Sequence, residues 1–263
     1  NSIQNPEQPR QSAGQKGFLT FRDVSFYFPG AKEPAVSHVS FEAKPGETTA
    51  VIGSTGSGKT ALVGLIPRFY DVQEGEVLVD GVNVKDYDLK DLRRKIGYVP
   101  QKALLFKGTI AENIRFGDDS ANDERVREAA AIAQSTDFIE DKPDGFDSPI
   151  AQGGSNVSGG QRQRLAIARA IVRKPEIYVF DDSFSALDFK TDSALRQALA
   201  KETGAATVVI VAQRVSTIMN ADRIIVMDEG KVMGMGTHRE LLKTCETYQE
   251  IVRSQLSEEE MSA

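Results

Sequence analysis

The segment GSTGSGKT, residues 53–60, decides the fold of this chain. It fits the pattern G-x-x-x-x-G-K-S/T and stands between an apolar run typical of a strand (TTAVIG) and one typical of a helix (TALVGLI). Glycines let the backbone wrap an anion, so that successive N–H groups and the helix N-terminus face phosphates. A glycine-rich turn with a chance lysine is the competing interpretation. The residues expected to bind a nucleotide here are Gly53, Ser54, Thr55, Gly56, Ser57, Gly58, Lys59 and Thr60.

A second segment, VFDDSFSALD at residues 179–188, ends an apolar run with two carboxylates, Asp181 and Asp182. A short run that is apolar throughout suits a strand buried on both faces, and open α/β sheets bind ligands at the carboxyl ends of such strands. We therefore expect the Thr60 hydroxyl to bind Mg²⁺ and Asp181 to hold it through water. Lys59 and Asp181 are separated by far more than the roughly 30 residues of one βαβ unit, which predicts an inserted subdomain.

The order of the other segments predicts an α/β protein with a parallel core. Residues 1–17 are polar and lack periodicity, as in a linker, and alternating segments from residue 18 to residue 53 predict strands. Residues 109–141 and 159–173 are typical of helices, after which strand and helix signals alternate. Residues 257–263 are expected to form a flexible acidic tail.

Net charge, the length of apolar runs and cysteine content limit what this chain is expected to bind and where it is expected to occur. A net charge of −6 gives no broad electrostatic reason to bind nucleic acid, and we expect none to bind. The apolar runs are much shorter than the roughly 18 residues that a membrane helix needs. The single cysteine, Cys245, excludes an internal disulfide and fits a reducing compartment.

The segment NVSGGQRQRLAIARAI, residues 156–171, resembles the signature motif of ATP-binding cassette (ABC) proteins. The resemblance covers nearly everything from Phe18 to Gln255. Within it Gln101 in GYVPQ matches the Q-loop, SALD (residues 185–188) the D-loop, and VAQRVSTI (residues 211–218) the switch region. Two further segments, LFKGTIAENIRFG and SPIAQGGSNVSGGQ, resemble those that face the transmembrane domains in ABC exporters. Without the family, VSGGQ is equally well a helix-capping turn.

The resemblance implies the fold and the site residues. The fold is a P-loop NTPase (RecA-like) core with an antiparallel β subdomain and an inserted helical subdomain at about residues 102–165, together spanning residues 18–256 as an ABC ATP-binding domain. ATP and Mg²⁺ are the implied cofactors, with Phe28 stacking on the adenine and Gln101 near nucleotide and metal. If Phe28 fills the core instead, Tyr27 is the substitute. In a head-to-tail dimer, the signature acts in trans and the D-loop lies at the interface; the residues are Ser158, Gly159, Gly160, Gln161, Ser185 and Asp188.

Two positions depart from the family pattern. Asp182 stands where active relatives place the catalytic Glu, and Gln213 stands where most relatives place the switch His. Asp is shorter by one methylene, about 1.5 Å, and Gln cannot carry a positive charge toward a developing anion. Together they predict a degenerate site that binds ATP but hydrolyses it poorly. An engineered Glu substitution is the alternative explanation for Asp182, although it leaves Gln213 unexplained.

We therefore expect the nucleotide-binding domain of one half of a heterodimeric ABC exporter, similar to the degenerate half of a multidrug exporter. Its transmembrane helices would precede residue 1 and place the domain at the cytoplasmic face of the cell membrane. A second half-transporter would supply the competent site, and the cargo stays open among amphiphilic drugs, lipids and peptides. The alternatives are a soluble ABC ATPase of translation or DNA repair, and a nucleotide-gated structural partner without meaningful turnover.

Overall fold

A computed structural model describes residues 3–256, so the predicted acidic tail at residues 257–263 lies outside the described residues. The strands are β1 (Leu19–Phe26), β2 (Val36–Ala43), β3 (Thr48–Gly53), β4 (Glu74–Val79), β5 (Val82–Asn83), β6 (Ile96–Val99), β7 (Gly108–Thr109), β8 (Pro149–Ile150), β9 (Ile177–Asp181), β10 (Thr207–Val211), β11 (Arg223–Asp228) and β12 (Lys231–Gly236). The α-helices are α1 (Lys59–Gly64), α2 (Leu89–Arg94), α3 (Ile110–Arg115), α4 (Asp123–Ile132), α5 (Thr136–Glu140), α6 (Gly159–Val172), α7 (Phe189–Glu202), α8 (Val215–Ile218), α9 (His238–Thr244) and α10 (Glu246–Gln255).

The main sheet has the strand order β12-β11-β3-β10-β9-β6. Its strands run parallel except β12, which forms an antiparallel hairpin with β11. In β9, Ile177 and Val179 join one apolar core, whereas Tyr178 and Phe180 join another. Successive strand residues point to opposite faces, so an apolar strand of this kind is buried on both sides. The sheet therefore separates two cores and brings β3 and β9 to the same carboxyl edge, with β10 between them.

A second sheet is antiparallel, with the order β2-β1-β4-β5. Leu19 and Phe21 of β1 are buried in the same core as Val51 of β3 and Leu62 of α1. The segment GSTGSGKT is thus held between the two sheets, because the strand before it and the helix after it both contribute to this core.

Helices α3–α6 follow β6 and form the other core with β9. Residues 109–141, predicted to be helical, form the three short helices α3, α4 and α5, because polar segments with capping residues interrupt the helical pattern. Asn122 caps α4 by accepting a hydrogen bond from Arg125 N–H at 2.8 Å, and Gln134 adopts a left-handed φ of 57° before α5. None of the helices within residues 3–256 is long and apolar enough to cross a bilayer.

Residues 3–17, predicted as a linker, lie along the surface near α2 without regular secondary structure. Asn5 Oδ1 accepts a hydrogen bond from Leu89 N–H at 2.8 Å, and Asn5 Nδ2 donates to Asp88 Oδ2 at 2.7 Å. Arg10 N–H donates to the Asp86 carbonyl at 2.8 Å. This segment therefore follows a defined path over the domain.

Candidate functional site

The segment between β3 and α1 is a tight loop whose glycines are required by the backbone. Gly58 has a φ of 98°, and a Cβ there would collide with the Ala35 carbonyl oxygen. Gly53 has no room for a Cβ beside the Met227 carbonyl. Larger residues at these two positions would push the loop away from the neighbouring chain segments, so both glycines in the pattern have a steric reason.

Lys59 folds over this loop. Its Nζ donates to the carbonyls of Gly53 at 2.9 Å and Ser54 at 2.7 Å, and to Ser57 Oγ at 3.2 Å. The ammonium group therefore stands inside the curve of the loop, where it is available to an anion bound by the loop N–H groups. Ser54 Oγ also donates to Asp228 Oδ1 at 3.2 Å, which ties the loop to the end of β11.

The predicted metal ligands come together although they are distant in sequence. Thr60 Oγ1, at the start of α1, donates to Asp181 Oδ1, at the end of β9, over 3.2 Å. Hydroxyl and carboxylate oxygens are donors that suit Mg²⁺, which usually keeps several waters, so Thr60 would hold the ion directly and Asp181 would hold it through water. When bound, Mg²⁺ neutralises phosphate charge. Gln101, also predicted near the metal, donates from Nε2 to Asp182 Oδ2 at 3.3 Å.

Asp182 directly follows β9 and turns the chain with a left-handed φ of 49°. Its N–H donates to the Val211 carbonyl of β10 at 2.9 Å. Its Oδ2 accepts from both Gln101 Nε2, at 3.3 Å, and Gln213 Nε2, at 3.0 Å. The two residues that depart from the family pattern, Asp182 and Gln213, are thus in direct contact, and one carboxylate oxygen is occupied by two amide donors.

The charged groups of the site perturb one another. Burial raises the pKa of Asp181, against hydrogen bonds from Thr60 and Tyr98 that lower it. Burial, followed by the Asp181 charge, also raises the pKa of Asp182. Burial lowers the pKa of Lys59, while the two carboxylates oppose that shift. A bound cation would stabilise the charged form of the two buried carboxylates, and an anion bound to the loop would stabilise the charged form of the buried Lys59. A metal ion with a phosphate group supplies both charges.

The signature residues begin α6. Ser158 caps the helix in a capping box with Gln161, each side chain accepting from the other's backbone N–H at 3.1 Å. Ser158 and Gln161 hydrogen-bond with each other and not with residues 53–60, within the part of the chain that the structure describes. Gly160 lies against the D-loop, since a Cβ there would meet the Ala186 carbonyl oxygen at 3.2 Å. The geometry of a capping turn, the alternative interpretation, is therefore present, and it leaves the N–H groups of the first helical turn without intrahelical acceptors.

The D-loop residues have contacts of their own. Ser185 Oγ donates to the Asp182 carbonyl at 3.1 Å, so the loop is tied to the carboxylate pair. Asp188 caps α7 by accepting from Thr191 N–H at 3.0 Å.

Phe28, predicted to stack on an adenine, is 41% exposed. Its ring contacts Phe26 and Tyr70 edge-on, with centroids 4.9 Å and 5.4 Å away. Core filling therefore does not describe this side chain. Tyr27, the substitute, is half-buried, and its N–H donates to Gln73 Oε1 at 2.9 Å.

Two polar residues of the site did not emerge from the sequence. Tyr98, one residue before the end of β6, donates from its hydroxyl to Asp181 Oδ2 at 3.2 Å. The adjacency of parallel strand ends could have indicated it. Gln163, buried in α6, donates to the Gln101 carbonyl at 3.4 Å and accepts from Ala186 N–H at 3.2 Å. No sequence signal marks it, because glutamine in a helix ordinarily faces solvent.

Comparisons with known proteins agree with this geometry. A family model described as ABC transporter matches residues 36–185. An uncharacterized ABC transporter ATP-binding protein of Mycobacterium tuberculosis is 47% identical over 258 residues, which are 97% of this chain and 44% of that protein. An ATP-dependent lipid A-core flippase of Xanthomonas oryzae pv. oryzae is 43% identical over 245 residues, 91% of this chain and 42% of that protein.

A solved structure of a bacterial Atm1-family ABC exporter with ATP bound superposes with a TM-score of 0.92 at 35% identity, covering 97% of this chain and 45% of that one. The chain spans less than half the length of each of these relatives. The predicted resemblance and the predicted fold class are both confirmed. The chain belongs to the ABC transporter family, and its fold is that of the family's ATP-binding cassette.

Proposed function

We propose that this chain is the ATP-binding domain of an ABC exporter and binds Mg-ATP at the loop of residues 53–60. The observation that carries the proposal is the meeting of Thr60 and Asp181 at 3.2 Å beside the buried Lys59 ammonium. Oxygen donors for a magnesium ion and a cation for phosphates stand side by side, as Mg-ATP requires. The exposed ring of Phe28 is the stacking partner for the adenine.

The signature at the start of α6 acts on ATP bound by a second cassette in a head-to-tail dimer. Support comes from the capping box, which satisfies Gln161 N–H and leaves those of Gly159 and Gly160 directed out of the first turn. The D-loop residues Ser185 and Asp188 lie at the interface. Gly160 packs against Ala186 of this loop, so the signature and the D-loop would move as one unit.

Hydrolysis at this chain's own loop is weak. Asp182 has a shorter side chain than the Glu of active relatives, and its Oδ2 is engaged by two amide donors. Because Oδ2 accepts hydrogen bonds from Gln101 and Gln213 rather than from an attacking water, the position of this carboxylate makes it a poor general base, although burial raises its pKa. The partner is therefore a different half-transporter that has a competent site, and the complex is a heterodimer.

The domain couples to a transmembrane part at the cytoplasmic face of the membrane. Phe106 is 43% exposed and Phe116 is 63% exposed, both in the segment LFKGTIAENIRFG that resembles an exporter coupling region, and Leu104, which directly precedes this segment, is 63% exposed. The Arg169 guanidinium lies over both rings, 5.2 Å from the Phe106 centroid and 5.6 Å from that of Phe116. Exposed apolar side chains held by a cation–π contact form a rigid docking patch suited to a helix of another domain.

The decisive experiment is a titration of the chain with a fluorescent ATP analogue in the presence of Mg²⁺. Lys59→Ala should weaken binding about 10- to 100-fold, because a charged hydrogen bond to phosphate is lost. Lys201→Ala, which removes an exposed lysine on α7, should bind like the native chain. Equal affinity of Lys59→Ala and the native chain would refute the assignment of the loop.

A further inference from the structure

The loop that follows β10 is gripped by a side chain from α10. Gln255 Nε2 donates to the Gln213 carbonyl at 2.7 Å, and Gln255 Oε1 accepts from Val215 N–H at 2.8 Å. Only one orientation of the amide satisfies both contacts, because the carbonyl needs a donor and the N–H needs an acceptor. A single side chain thus clamps the loop at two points, one residue apart on either side of Arg214.

The clamp has a firm support. Tyr248 and Val252 of α10 are fully buried in an apolar cluster that also contains Val215. The Tyr248 hydroxyl is 2.7 Å from His238 Nδ1, which ties α10 to α9. A helix anchored by buried side chains loses little further freedom when its last turn makes two hydrogen bonds, so Gln255 holds the loop rather than following it.

The clamped residue is the one that faces the carboxylate of the site. The Gln213 backbone is bound by Gln255, while its side chain donates from Nε2 to Asp182 Oδ2 at 3.0 Å. Next to it, the Arg214 guanidinium donates to the Ser185 carbonyl of the D-loop at 3.4 Å. The clamp borders a cleft of about 360 Å³ that is also lined by the loop residues Gly53, Ser54 and Thr55. A hydrogen-bonded path therefore runs from α10 through Gln213 to Asp182.

We infer that Gln255 is a positioning residue, which sets where Gln213 stands against Asp182 and against the terminal phosphate of bound ATP. The part of this inference that concerns phosphate rests on the proposed function. The physical reason is that the Gln213 side chain is long. A small rotation of its backbone therefore moves the terminal amide further than it moves the backbone. A shift near 1 Å at a reacting group changes rates on the order of a hundredfold.

The test compares Gln255→Met with the matched control Gln249→Met in the full chain. Met preserves side-chain length and removes both hydrogen bonds. Gln249 lies on the same helix and donates to the Leu242 carbonyl at 2.8 Å, away from the loop. We measure exchange of the Val215 backbone amide and the NMR resonance of the Gln213 side-chain amide, both without nucleotide, and then the affinity for Mg-ATP.

In Gln255→Met, exchange of Val215 N–H should rise about 5- to 10-fold, the loss expected for one hydrogen bond. The Gln213 side-chain amide should move to the resonance that it has in Asp182→Ala, where its acceptor is missing. The affinity for Mg-ATP should stay native, since the contacts of residues 53–60 are untouched. Gln249→Met should change none of the three.

Three results would overturn the inference. Unchanged Val215 exchange in Gln255→Met would show that the clamp is absent, and an unmoved Gln213 amide would show that the clamp does not position the side chain. A loss of Mg-ATP affinity in Gln255→Met alone would show that Gln255 supports the whole site rather than Gln213. If the native chain bound no Mg-ATP, the proposed function would fail, while the two measurements without nucleotide would still decide whether the clamp exists.

Discussion

Replacing the two residues that depart from the family pattern with the family's residues should increase the rate of ATP hydrolysis at this chain's own loop. The change is Asp182→Glu together with Gln213→His, and the expected result is faster cleavage of ATP bound at this chain's own loop. The two side chains touch at 3.0 Å, so they form one unit rather than two independent defects. Residues that act as a unit are not additive, and each single change should raise the rate less than about threefold.

The magnitude follows from the geometry. One added methylene advances the carboxylate by about 1.5 Å, and a misplacement near 1 Å costs on the order of a hundredfold. Replacing Gln213 removes one of the two amide donors from Asp182 Oδ2 and introduces a side chain that can carry charge. Against this, Glu tolerates the left-handed φ of 49° less well than Asp, which limits the gain. We expect a rise of at least about tenfold, within the range of general-base catalysis.

The assay is single-turnover cleavage of γ-labelled ATP in the proposed heterodimer, after the site of the proposed partner has been disabled by removing its catalytic Glu. Affinity for Mg-ATP is measured in parallel and should be native in all variants. If the double variant binds ATP normally and cleaves it no faster, the proposal that Asp182 and Gln213 make hydrolysis at this loop weak is refuted. The cause would then lie in the signature of the partner.

Three further outcomes are expected. Ser158→Arg should abolish ATP cleavage by the complex, because it blocks the proposed contact in trans and removes the cap of α6, and it should leave Mg-ATP binding at this chain's loop native, because Ser158 makes no hydrogen bond to residues 53–60 in the described chain; cleavage at the native rate would contradict this role. Phe28→Leu should weaken ATP binding about 5- to 10-fold while Phe28→Tyr retains it, because stacking uses the ring face; a loss in Tyr27→Leu instead would move the stacking role. Lys95→Met should lower the free energy of unfolding at pH 7 by about 3 kcal/mol in a denaturant titration, because the fully buried Asp80 side chain loses its ion pair at 2.9 Å. Burial lowers the pKa of Lys95, but hydrogen bonds to carboxylates outweigh it and raise the pKa above 10.5. The stabilisation is therefore present at neutral pH and is lost as the pH rises through that raised value, so native and variant stabilities should converge there.

Much of the fold could be predicted because its signals are local. The segment GSTGSGKT predicts its loop from eight consecutive residues, and β9 is a run of apolar residues that can only be buried on both faces. The division of residues 109–141 into the helices α3, α4 and α5 was harder to predict from the sequence than their helical character. It depends on capping by Asn122 and on the left-handed turn at Gln134, and these act against a helical pattern that continues across them.

The features of the candidate site also divide into those that have a local sequence signal and those that do not. The sequence by itself determined which residue types stand at the proposed phosphate loop, the proposed metal strand and the segment that resembles the signature, because each is a short motif whose spacing matches one local turn of backbone. The sequence also showed that Asp182 and Gln213 differ from the pattern of the family it resembles, because a motif defines which residue is expected at each position.

Only the tertiary structure decided which of these groups touch. Tyr98 meets Asp181, and Gln255 holds the backbone of Gln213, across 83 and 42 residues of chain. Neither pair belongs to a motif. Each exists because the packing of buried side chains, in β6 against β9 and in α10 against the cluster around Val215, brings two polar groups within hydrogen-bond distance. Such contacts depend on many apolar contacts across the core. These contacts join residues that are distant in the chain, so the sequence pattern does not show them.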